Sequence, residues 1–209
     1  MKLHLVKILS YALFFASAPL IEKATWEFSL PRYVAPGAPS AQKTAFPAHQ
    51  TWVLEAKGGQ SLVFFSEDGQ YVLKFFQDQP RPYHLLPSYR ARKAKKLART
   101  LNGYTLLHEL CPHLSATVLN HFQKTVDPLP ARLIDRLGIA HDVDLSAYLF
   151  VLQKRAAPLE RVNPQELETL INTLASSHLQ DHDHRLSQNL GLLDGTLVIL
   201  DPGRIAEAP

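Results

Sequence analysis

The sequence predicts an α+β fold, and three observations carry that expectation. Residues 51–56, 62–66 and 71–76 are short apolar or alternating runs, separated by Lys57-Gly58-Gly59-Gln60-Ser61 and Glu67-Asp68-Gly69-Gln70. That is the turn chemistry of an antiparallel meander. Residues 88–110 carry Ala94, Leu97, Leu101, Tyr104 and Leu107 at helical spacing. Near the end of the chain, residues 190–193 and 196–200 flank Asp194-Gly195, a two-residue hairpin signal.

In chain order, Lys2 and Lys7 precede an apolar run over residues 8–21, the grammar of an export signal or membrane anchor. Ala16-Ser17-Ala18 has the small-x-small pattern of a cleavage site, but Pro19 follows it. A cleaved signal peptide and an uncleaved transmembrane helix both stay open. We take residues 1–22 as this segment, with membrane contact through residues 3–21. Positive charge on its N-terminal flank leaves the remainder on the extracytoplasmic side, membrane-anchored or exported. Residues 23–50 include Pro31, Pro36, Pro39 and Pro47 and read as a semi-extended linker.

With 209 residues and 46% hydrophobic content, the chain can bury one substantial core. Cys111 is the only cysteine, so an intramolecular disulfide framework is excluded. The net charge of +3 is unevenly placed. Arg81, Arg90, Arg92, Lys93, Lys95, Lys96 and Arg99 share one stretch without an acid. Such a patch suits a polyanion, but the apolar residues on the opposite face make a solvated basic helix face the simpler reading. No nucleic acid partner is expected.

Beyond the helix, residues 115–122 and 147–153 read as apolar strands on either side of a turn at Asp127-Pro128. Asn163 then caps a helix with Pro164 at its first position and Glu166 completing a capping box. Leu167, Leu170, Ile171 and Leu174 share one face of that helix.

Three motifs carry chemistry. Tyr71-Val72-Leu73-Lys74 ends an apolar strand on a lysine, whose mobile ammonium can follow phosphate oxygens. The segment from Asp181 to Asn189 reads Asp-His-Asp-His-Arg-Leu-Ser-Gln-Asn, with Asp183 six residues before Asn189. After the hairpin comes Asp201-Pro202-Gly203. Taken in order, these elements resemble the third strand, catalytic loop and Asp-Phe-Gly element of the protein kinase-like superfamily. The resemblance covers about residues 51–204 and is closest in kind to small bacterial kinase-like proteins with a membrane leader.

The resemblance implies an antiparallel N-lobe with one helix over residues 51–156, and an abbreviated helical C-lobe over residues 157–209. It implies ATP and Mg²⁺ as cofactors. Lys74 would meet the phosphates, with the turn Gly58, Gly59, Gln60 and Ser61 cradling them through backbone amides. Asn189 and Asp201 would hold the metal, and Asp183, with Asp181 as a further option, would accept the substrate proton. The sequence departs from the family in four respects: the glycine loop lacks its spaced pattern; the long helix has no acid before Glu109 to hold Lys74; Asp183 lies one residue too far from Asn189; and the chain stops eight residues past Asp201. The expectation is therefore a degenerate, pseudokinase-like nucleotide binder rather than a working phosphotransferase, with its protein substrate undetermined.

Three rival readings are weaker. His178, Asp181, His182, Asp183 and His184 could ligate zinc, or could simply form an exposed polar loop. Cys111 near His108 and His113 reads as a small core residue at a helix end. The alternative to a nucleotide binder is a non-catalytic scaffold displayed from a membrane, with the basic helix as its contact surface.

Overall fold

The computed structural model describes residues 34–41, 46–47, 50–57, 61–76, 87–159, 161–182 and 186–208. These residues form a mixed α+β structure in which an antiparallel-dominated sheet carries two helices. The meander is as expected: β1 (Thr51–Lys57), β2 (Ser61–Ser66) and β3 (Tyr71–Phe76) pair antiparallel in sequence order. Asp68 shapes the second turn, accepting from the Ser66 hydroxyl at 2.6 Å and the Gln70 N–H at 2.9 Å. Gly69 there has φ of 71°, in the left-handed region open to glycine.

Helix α1 (Pro87–Leu110) follows, then β4 (Thr117–His121), β5 (Pro130–Ile134), β6 (Ala140–Asp144) and β7 (Phe150–Lys154). The seven strands form one sheet in the order β4-β7-β3-β2-β1-β5-β6. The hairpin β5–β6 differs from the sequence expectation, which placed only a turn between the strands at 115–122 and 147–153. β5 joins the sheet by pairing parallel to β1, across about eighty residues of chain. Local periodicity does not report a pairing of that kind. Only Ala131 and Leu133 alternate inward on β5, too short a pattern to stand out.

The expected strand at 147–153 also begins later, at Phe150, because Leu145–Ala147 forms a 3₁₀ turn. Asp144 builds that turn, accepting from Ser146 N–H at 3.0 Å and from Leu129 N–H at 2.8 Å.

The remaining elements are β8 (Ala157–Pro158), α2 (Pro164–Ser176), β9 (Leu179–Asp181), β10 (Leu190–Leu193), β11 (Thr196–Ile199) and β12 (Ile205–Glu207). Asn163 caps α2 as anticipated, its side chain accepting from Gln165 N–H at 3.0 Å. β10 and β11 form the expected hairpin, with Asp194 and Gly195 at φ of 52° and 80°. Positive φ at both central residues matches the right-handed twist of the flanking strands.

The period-two pattern of a strand sorts β3 into two faces. Leu73 and Phe75 enter a core with Trp52, Phe64, Phe150 and Leu152. Phe76 packs on the other side against Tyr104 of α1, ring centroids 5.4 Å apart. Leu107 and Cys111 begin a further core with Leu170 and Leu174 of α2 and with Leu190, Ile199 and Ile205. Helix α1 thus connects the large sheet to the C-terminal elements.

The expected transmembrane helix must be corrected for the described residues, where no helix is long and apolar enough to cross a membrane. α1 has 24 residues but carries Arg90, Arg92, Lys93, Lys95, Lys96 and Arg99, which are costly within hydrocarbon. α2, with 13 residues, spans about 20 Å against the ~30 Å of a bilayer core. The apolar segment that prompted the expectation falls in residues 1–33, which lie outside the described residues.

Candidate functional site

The side chains of interest meet at one backbone carbonyl. Lys74 leaves β3 on the α1 side and donates from Nζ to the Leu200 oxygen at 2.8 Å. β7 runs antiparallel beside β3, with Gln153 opposite Val72 and Val151 opposite Lys74. Gln153 is buried and donates from Nε2 to the same oxygen at 3.1 Å. Tyr104 on α1 adds its hydroxyl at 3.3 Å. Three donors therefore share an acceptor with two lone pairs, so the position of Leu200 is specified from β3, β7 and α1 together.

Leu200 is also the junction to the other predicted residues. Its N–H donates to the Asn189 carbonyl at 2.7 Å, closing the base of the β10–β11 hairpin. Asp201 follows directly, and one of its carboxylate oxygens accepts from Gly203 N–H at 3.2 Å. The turn is closed by Ile205 N–H donating to Pro202 O at 2.9 Å. Gly103 on α1 lies against this turn. A Cβ there would collide with the Pro202 carbonyl oxygen and sit 3.2 Å from that of Ile205. The absence of a side chain at Gly103 is what lets the helix and the Asp201-Pro202-Gly203 turn approach so closely.

Charge follows from this placement. Burial pushes the Lys74 amine down to about 8, and the Asp201 carboxylate partly opposes that fall. Burial raises the Tyr104 phenol well above its ordinary value, and Asp201 adds to the rise. Asp201 thus acts electrostatically on both, although it is itself exposed.

The Lys74 side chain, the Asn189 backbone carbonyl and the turn that Asp201 opens are in this way brought together around Leu200. Ser61 starts β2 opposite Phe76, half-buried. Gly58, Gly59, Gln60 and Asp183 lie outside the described residues. Asp181 ends β9 opposite Ile205 of β12. The zinc reading fell partly on residues outside the description, namely Asp183 and His184. Among the described residues, no group of three or more His, Cys, Asp or Glu is placed to hold a metal. Cys111 is fully buried in the core behind α1.

Two residues at this site escaped the sequence analysis. Tyr104 read as one more apolar position of α1, yet it is the helix residue that reaches the Lys74 acceptor in a helix with no acid before Glu109. Gln153 was counted as the end of an apolar strand. A glutamine closing a run of Phe150, Val151 and Leu152 is a buried polar group in need of a partner, and that was the available signal.

No protein-family model and no curated protein matches this chain, so no relative lends support to kinase activity or ATP binding.

Proposed function

We propose that the chain is a kinase-like domain that binds a nucleotide polyphosphate together with Mg²⁺ beside the Leu200 junction, as a binder and not as a demonstrated phosphotransferase. The observation that carries the reading is the bond from Lys74 to Leu200, which places a strand lysine beside an Asp-Pro-Gly turn and a hairpin asparagine. The sheet arrangement supports it as well, since β3 is followed by a helix that packs across the lysine face and by the antiparallel pair β4–β7.

The donor set fits the metal. Mg²⁺ is usually held by one or two protein oxygens, with phosphate oxygens and water completing its shell. Asp201 spends one carboxylate oxygen on Gly203 and keeps the other for a ligand. The Asn189 amide oxygen would be the second hard ligand. Bound there, the ion would neutralise phosphate charge. Lys74 would supply the positive charge from the strand side, exchanging the Leu200 carbonyl for a phosphate oxygen.

Thermal unfolding of the full chain with and without Mg-ATP tests this. Stabilisation of about 2.7 kcal/mol is expected at a hundredfold excess over the dissociation constant. The effect should vanish in Asp201→Asn and with ATP in EDTA. No shift at millimolar Mg-ATP overturns the proposal. Asp201 is exposed, so its variant retains the fold even if Lys74→Ala does not.

A further inference from the structure

Helix α1 turns two unlike faces to its surroundings. Leu97 and Leu101 pack against the core around Phe76, Tyr104 and Val151. At 3.6 residues per turn, Arg92, Lys95 and Arg99 fall within an arc of about 60° on the opposite side. All three are exposed. They follow one another along about 10 Å of helix, at a rise of 1.5 Å per residue. Packing of the apolar face therefore fixes the direction in which this basic stripe points.

The stripe has no counter-charge of its own. From Pro87 to His108 the helix contains no acid. Among the described residues, no ion pair holds Arg92, Lys95 or Arg99. Like charges three and four residues apart repel, whereas a solvated helix face usually alternates the two signs. An anion outside the helix is what would remove the repulsion. The neighbours of the cations decide its kind. Ala91 and Ala98 are exposed beside them, so the long side chains can spread over a flat surface. No amide or hydroxyl side chain occurs from residue 91 to residue 99 to read a base edge. The Tyr89 ring is no free stacking platform for bases, because the Arg92 and Lys93 charges lie 5.5 and 5.8 Å from its centroid.

We infer that this face of α1 docks on the surface of an anionic lipid bilayer. A bilayer offers a plane of negative charge, which meets a flat stripe without needing a groove or a register. Each lysine or arginine held near such a surface strengthens the association about fivefold. The helix lies on the headgroups and does not enter the hydrocarbon, where its charges would be costly. This inference is independent of nucleotide binding at Leu200, because Tyr104 and Gly103 face that junction from the buried side of α1.

The test is co-sedimentation of the full chain with vesicles of phosphatidylcholine alone and with vesicles containing an equal part of phosphatidylglycerol. The apolar run over residues 8–21 is common to both arms, so the ratio of the two partition coefficients reports charge. The wild type should favour the anionic vesicles at low salt, and the preference should fall as salt shortens the Debye length. Lys95→Gln and Arg99→Gln, both at exposed positions, should each lower the preference about fivefold with no loss of Tm. Lys154→Gln, which removes an exposed charge from β7 instead, should leave it unchanged. Equal partitioning into both vesicles, a preference that Lys95→Gln and Arg99→Gln leave intact, or an equal loss in Lys154→Gln overturns the inference. So does tighter binding to duplex DNA than to anionic vesicles at matched phosphate concentration.

Discussion

Lys74 and Leu200 are 126 positions apart in sequence, and the lysine ammonium donates to the leucine carbonyl at 2.8 Å. This bond joins the meander to the C-terminal hairpin and sets a buried amine close to the exposed Asp201.

Its first consequence is a pH dependence. The Lys74 amine titrates at about 8 in the folded protein against 10.5 for the ordinary side chain. Between those values the unfolded chain binds more protons at this position, so stability rises with pH through that window. Below about pH 8 the full penalty of charging the amine applies, and above about 10.5 it is gone. The full rise across the window is about 3.4 kcal/mol at 1.36 kcal/mol per unit. Urea unfolding at pH 7.5 and 10 should show it, and Lys74→Met should flatten the slope. A falling contribution from Lys74 over that interval would contradict the burial of the amine.

The redundancy at Leu200 makes a second prediction. Tyr104→Phe removes one of three donors and leaves an apolar ring where the phenol was. It should cost no more than about 1 kcal/mol. Gln153→Leu removes a donor from Leu200 and leaves Thr117 without its partner at 3.4 Å, for which a loss of about 1–3 kcal/mol is expected. Denaturant midpoints of the two variants, at equal slope, decide the ranking.

Gly103→Ala should be strongly unfavourable although it lies in a helix. Alanine is the better helix former by about 1 kcal/mol, but its Cβ meets the Pro202 carbonyl, which belongs to backbone and cannot rotate away. A net loss of about 1–3 kcal/mol is expected from overpacking. Calorimetry would show a lower Tm, whereas a rise would mean that the turn does not dock as described.

Asp144→Ala should cost about 1–2 kcal/mol, because Ser146 and Leu129 both lose the acceptor of their N–H groups. Burial works against the charged carboxylate of Asp144, but these hydrogen bonds outweigh it and hold the group below its usual range. Its contribution is therefore present above the ordinary carboxylate pKa and fades as pH falls through the lowered value. Acid titration of the wild type and the variant checks the sign.

The basic face of α1 predicts stabilisation on charge reversal. Arg92, Lys95 and Arg99 stand at spacings of three and four on one side of a helix whose first turn has no acid. Lys95→Glu would turn one repulsion into an attraction with Arg99 in the favourable orientation. A gain of about 0.5–1 kcal/mol is expected at low salt and less at high salt, read from thermal unfolding.

The sequence by itself determined the local elements. The meander, α1, the Asn163 cap of α2 and the Asp194-Gly195 hairpin were legible because turn chemistry and apolar period act between neighbours in the chain. Lys74, Asn189 and Asp201 could be singled out in the same way, from residue type and order. The tertiary structure decided what local pattern does not contain. It placed β5 parallel to β1, gave Tyr104 and Gln153 to the Leu200 carbonyl, and pressed Gly103 against Pro202. Each of these depends on partners tens of residues apart, whose meeting is set by the packing of whole elements against shared cores.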